Sequence, residues 1–141
     1  MRDTFLSFLT LSLMLVFSPA QGASNFGNCI HNGKIRLFYD SEQRYETASY
    51  CTNSDKTSLL TEKCVTLNCF SKLPRLDLKM KDLYSAAGKP GFELCRKLNG
   101  RGQIVEFLVD GKWYKLDRCV FDQESWYVDT GFLLGNYLKN K

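Results

Sequence analysis

The sequence predicts an α+β fold, a small disulfide-rich domain built from two similar Cys-bracketed β-hairpin units with short helices. Three observations carry this. The 141-residue chain holds six cysteines, and an even count in a short exported chain points to a disulfide framework. Asp110-Gly111 lies between two β-rich runs and suits the two positive φ angles of a type I′ turn, so residues 103–119 read as a tight hairpin. The order of features between Cys95 and Cys119 also recurs between Cys29 and Cys51.

The chain opens with Arg2, an apolar run over residues 5–17 and then Ser18-Pro19-Ala20. The run is too short to span a bilayer, and small residues at −3 and −1 suit a cut after Ala20, so residues 1–20 read as a secretory signal peptide. A cut after Gly22 fits as well. No cysteine stands at the cleavage point, which argues against a lipid-anchored lipoprotein. The expected product is secreted or periplasmic, monomeric and without a membrane span. It divides into a first hairpin unit (21–70), a basic connector (71–89) and a second hairpin unit with a C-terminal segment (90–141).

All six cysteines, Cys29, Cys51, Cys64, Cys69, Cys95 and Cys119, follow the cut. Their spacing lacks the paired short knuckles of structural zinc. Aligning the halves on their first cysteines sets Phe26 against Phe92 and Asn32-Gly33 close to Asn99-Gly100. Ile35, Leu37, Tyr39 and Asp40 then match Val105, Phe107, Val109 and Asp110. The first hairpin reads as having a loop two residues longer, around residues 41–44. Because each unit closes on its own cysteines, the predicted pairs are Cys29 with Cys51 and Cys95 with Cys119, leaving Cys64 with Cys69.

In the second hairpin a two-residue turn fixes the register, since a slip by one would send every side chain to the wrong face. Val105, Phe107, Val109, Tyr114 and Leu116 then form a core face. The opposite face carries Leu108, Trp113 and a Glu106-Lys115 pair, an ion pair worth only about 0.2–1 kcal/mol. Pro90 at a first helical turn and Asn99-Gly100 as a left-handed cap predict a short helix over 90–98. In the connector, Leu76, Met80, Leu83, Tyr84 and Ala87 fit helical spacing, although Leu76, Leu78 and Met80 also alternate as in a strand; we expect a short helix. Beyond Cys119, Asp122 or Ser125 is placed to cap a helical segment holding Trp126, Phe132, Leu133, Tyr137 and Leu138, interrupted by Gly131 and Gly135.

From Pro90 through Cys95, Asn99-Gly100, Cys119, Phe121, Ser125 and Trp126, the second half resembles a small bacterial exported domain of unknown function that carries a haemolysin label. That family shows Pro, Cys, Gly-Gly, a short hairpin, then Cys, an apolar residue and a turn leading to Trp. Here Asn99 replaces the first glycine, Gln123-Glu124 replace the glycine turn, and no cysteine follows near the C-terminus. The resemblance covers residues 90–134 and implies no catalytic residues and no mechanism.

The formal net charge is +4. Residues 71–101 concentrate Lys72, Arg75, Lys79, Lys81, Lys89, Arg96, Lys97 and Arg101, which suits an anionic surface or a solvated face. His31 is the only histidine, and on a turn beside Cys29 it makes a poor base for a nucleophile. Asp117, Asp122, Glu124 and Asp129 near Trp126 offer carboxylate pairs of the glycosidase kind, but turn, cap and solvation roles account for them. No glycine-rich phosphate loop or calcium-loop spacing is present. The sequence therefore favours a binding or interaction module over an enzyme, with no cofactor. Trp113, Lys112, Lys115 and Arg118 form the candidate binding surface. The expected partner is a protein or an anionic envelope polymer, and not nucleic acid. Inhibition of an extracellular or periplasmic enzyme is the alternative, and a small carboxylate-dependent hydrolase a weaker one.

Overall fold

Period-two patterning builds the first strand, β1 (Asn28–Tyr39), whose Ile35 and Leu37 are buried while Lys34, Arg36 and Phe38 point the other way. It turns at Asp40-Ser41 into β2 (Glu42–Thr52), followed by the short β3 (Leu59–Thr61). A second meander repeats the order with β4 (Arg101–Val109), β5 (Lys112–Phe121) and β6 (Trp126–Asp129). Among the described residues three helices, α1 (Lys63–Thr66), α2 (Pro90–Lys97) and α3 (Thr130–Lys139), and 3₁₀ turns at Cys69–Lys72 and Met80–Leu83 complete the set of elements. This is a computed structural model describing residues 25–84 and 88–139. The expected signal peptide lies outside the described residues.

The six strands close into one barrel in the order β1-β2-β3-β6-β5-β4, every neighbouring pair antiparallel. This corrects the α+β expectation of two hairpin units. A lone hairpin leaves an apolar face and two unpaired edges in water; each meander covers the other's face and takes up its edges, so closure removes both problems.

The two closing seams are short. β1 meets β4 at Ile35↔Phe107, Arg36↔Glu106 and Leu37↔Val105. These residues match one another in the aligned halves, so the seam has local two-fold pairing. β3 meets β6 at Leu60↔Val128. Side chains extend both seams. The Tyr50 hydroxyl donates to the Leu108 carbonyl at 2.7 Å, beyond the last β1–β4 pair. The Thr61 hydroxyl accepts from the Tyr127 N–H at 2.7 Å and donates to its carbonyl at 3.1 Å, and an Asp129 oxygen accepts from the Leu59 N–H at 2.9 Å.

Alternation along the strands separates two apolar clusters. The inward set is Ile35, Leu37, Tyr50, Leu59, Val105, Phe107, Val109, Val120 and Tyr127. The outward-pointing Cys51, Leu60, Cys119, Phe121, Trp126 and Val128 are covered by Leu94 and Leu98 near α2, Leu133 of α3, Leu83 and Phe26. Helices therefore cover the β3-β6-β5 side of the barrel. The outer surface of β2-β1-β4 and the tip half of β5 carries exposed and half-buried residues.

The register of the second hairpin is the predicted one, from Val105↔Leu116 to Val109↔Lys112. The first hairpin corrects its reading: Tyr39 pairs with Glu42, so its loop is also two residues, and the extra length lies in the strand arms, which contain a bulge between Ile30 and Gly33. The connector helix is also corrected. Leu76 and Leu78 lie in no helix, both half-buried against the outer cluster, and only Met80–Leu83 form a 3₁₀ turn; the Leu76 N–H donates to the Tyr137 hydroxyl at 2.6 Å rather than to a helical carbonyl. Trp126 sits in β6 rather than in the expected final helix, which starts only at Thr130; Asp129 accepts the Phe132 N–H at 2.7 Å and so caps α3.

The disulfides join Cys29 to Cys51, Cys64 to Cys69 and Cys95 to Cys119, the pairs expected from the spacing. The first bridges two adjacent strands, and the third ties α2 to the wall of β5. Such bonds fit an oxidising compartment. No helix among the described residues is long and apolar enough to cross a membrane.

Candidate binding wall

The outer surface of β2-β1-β4-β5 is a sheet face whose rows follow from the pairings. Tyr45, Arg36, Glu106 and Lys115 form one row across the four strands. Phe38 with Gln43, and Ile104 with Asp117, lie to one side; Lys34 with Thr47, and Leu108 with Trp113, lie to the other.

Arg36 organises the centre. Its Nε donates to Glu106 at 2.8 Å, and its Nη2 bonds the same carboxylate. Its guanidinium carbon lies 4.4 Å from the Trp113 ring centre and 5.8 Å from that of Phe38. The Glu106 carboxylate, helped by Tyr45, raises the Arg36 pKa above its ordinary value, so the cation is fixed at any physiological pH. Tyr45 meets Trp113 edge-on at 6.4 Å. Trp113 stays 36% exposed and Tyr45 62% exposed. Guanidinium, indole and phenol thus form a pre-set cluster at the surface, the residue types that dominate interface energies.

Of the expected surface residues, the structure brings Trp113 and Lys115 to this wall and leaves Lys112 exposed at the hairpin tip. Lys115 does not pair with Glu106 as expected, because Arg36 reaches across the β1–β4 seam and takes that carboxylate; the Lys115 ammonium lies 5.7 Å from the Phe38 ring instead. Arg118 is a correction. It is 2% exposed and points into the barrel, where Nε donates to Gln103 at 2.8 Å and Nη1 to Glu46 at 2.6 Å, with the Tyr127 ring 4.4 Å away. Strand parity already held this answer, since Tyr114, Leu116 and Arg118 share one face. Sequence reasoning missed Arg36, Phe38 and Tyr45. Their alternation opposite Ile35 and Leu37 was a readable signal, but nothing local showed that β1 lies beside β4.

The other candidates are engaged elsewhere. His31 Nδ1 lies 3.0 Å from Glu62 on the surface. Asp117 pairs with Lys89 at 2.7 Å, Asp122 accepts from the Trp126 indole at 3.2 Å, Glu124 pairs with Arg101, and Asp129 is held by backbone N–H groups. Burial raises the Asp129 pKa, against the opposing effect of those donors. No group of three metal-binding side chains comes together among the described residues. No family model, no curated protein sequence and no solved structure matches this chain.

Proposed function

We propose that the chain is exported through its N-terminal signal peptide and acts as a disulfide-braced binding module that engages a partner without turning it over. The observation that supports this reading is the wall of β2-β1-β4-β5. Helices cover the opposite side of the barrel, while this side presents Trp113, Tyr45 and Ile104 partly or largely to solvent. An arginine fixed between aromatic rings by a carboxylate loses little freedom on binding, so its contacts carry a small entropic cost. The strands beneath it are held in register by two-residue turns and by cross-braces, which makes the wall rigid.

The test compares wild type with Trp113→Ala as bait for binding partners from the native compartment. Weakening by about tenfold, roughly 1.4 kcal/mol, is expected for a hot-spot residue. Equal capture by both proteins would show that the wall is not the binding surface.

A further inference from the structure

Resting on that reading, we propose that the partner is a protein and that an acidic surface of it, rich in carboxylates, seats on the wall around Arg36 and Trp113. Two features of the wall select this occupant. The first is charge. Lys34 and Lys115 lie on the wall, and neither has an ion-pair partner among the described residues; at the rim Lys112 is offset by the exposed Asp110 of the same turn, while the wall's Glu106 is already held by Arg36 and its Asp117 by Lys89. The unmatched field is positive and calls for a negative counterpart.

The second is how the rings are used. Arg36 lies over Trp113, and Arg36 and Lys115 flank Phe38. A nucleobase gains its affinity by stacking on open aromatic faces in a basic trough, and a polymer of sugar rings would use the same faces. Here the chain's own cations already lie over Trp113 and Phe38, which leaves Tyr45 as the one open ring of the three, too little for a run of stacked bases or sugars, and the wall is the outside of a barrel. The two depressions described lie elsewhere: one of about 380 Å³ lined by Arg101, Asp122 and Glu124, and one of about 170 Å³ beside Lys72 and Trp126. What the wall offers outward is N–H edges of cations around an aromatic centre. Those edges match carboxylates, and a protein surface can present several carboxylates together.

The oxidised protein is titrated, by two-dimensional NMR, with octaglutamate, with a sulfated octasaccharide and with an eight-nucleotide oligothymidylate. The expected result is saturable displacement of the Trp113 indole and Arg36 signals by octaglutamate, at lower concentration than by the other two. In Lys34→Gln/Lys115→Gln, two exposed and unpaired positions, that affinity should fall at least tenfold. Tighter binding of the sugar or the oligonucleotide at the same signals overturns the choice of partner and leaves the binding wall standing. No displacement by octaglutamate, displacement confined to the connector lysines, or equal affinity in the double variant also overturns the proposal. Failure of the wall itself has a separate readout that needs no probe: a large loss of folding stability in Trp113→Ala.

Discussion

Inside the barrel the Tyr127 hydroxyl is buried without a hydrogen-bond partner among the described residues, and burial raises its pKa well above the ordinary phenol value. An unsatisfied buried hydroxyl costs about 1–3 kcal/mol. Tyr127→Phe should therefore leave stability unchanged or raise it, as read from the midpoint of urea unfolding; a loss of stability would show that the hydroxyl is bonded in solution. Arg118 and Glu46 are the converse case, a mostly buried pair. Removing one partner leaves the other uncompensated, so Arg118→Met should cost about 3–5 kcal/mol, and adding Glu46→Leu should recover much of it. Asp129 carries a pH signature. Its folded pKa is raised, so its contribution to stability is complete below the ordinary aspartate value and is lost as pH rises through the higher folded value. Carboxyl NMR should place its midpoint above the ordinary aspartate value. Of these roles only the inward direction of Arg118 was readable, through strand parity; its partners, and the roles of Tyr127 and Asp129, were not. Arg118 stands beside the lysines in sequence, and only the inward side of its strand, at the end where β5 nears Gln103, turns it from a surface charge into a brace.

At the scale of elements, the seams decide whether two meanders make one barrel. The β3–β6 seam has one paired position, and Thr61 supplies both a donor and an acceptor to Tyr127 there. Thr61→Val keeps the shape but orphans two backbone groups, and should lower stability by about 1–3 kcal/mol; an unchanged unfolding midpoint would mean that the seam holds without it. The bulge before Gly33 is equally specific. A Cβ on Gly33 would lie 2.5 Å from the Tyr50 ring, the side chain that caps the β1–β4 seam, so Gly33→Ala should cost roughly 1–3 kcal/mol by overpacking. The hairpins were legible, because turn chemistry and period-two patterning are local. The helix over 90–97 was legible for the same reason, through Pro90 and the left-handed Asn99. The connector and β6 were not. Leu76 stays out of a helix because the Tyr137 hydroxyl of α3 accepts its N–H and donates to the Pro74 carbonyl, and Trp126 joins a strand only because β5 and β3 lie on either side of its element.

For the whole molecule, two apolar clusters and three disulfides share the burden of stability. The two long-span bonds close sequence separations of 22 and 24 residues, each worth about 3 kcal/mol, while a domain of this size has a margin of only about 5–15 kcal/mol. Reduction without denaturant should therefore abolish the near-ultraviolet circular dichroism of the packed aromatics. A reduced protein that keeps that signal would show that the clusters suffice. Barrel closure itself was beyond local reading, because it depends on contacts seventy residues apart such as Arg36 with Glu106. That same contact creates the binding wall, so fold and candidate site were hidden together.

The central claim, that the wall around Trp113 is surface built for contact rather than core, is tested most directly by comparing the folding stabilities of Trp113→Ala and Trp126→Ala. Trp126 is 2% exposed within the helix-covered cluster, and its truncation should cost about 3–5 kcal/mol. Trp113→Ala should cost about 1 kcal/mol or less, near the range of surface substitutions. Equal and large losses in both variants would place Trp113 in the core and contradict the account.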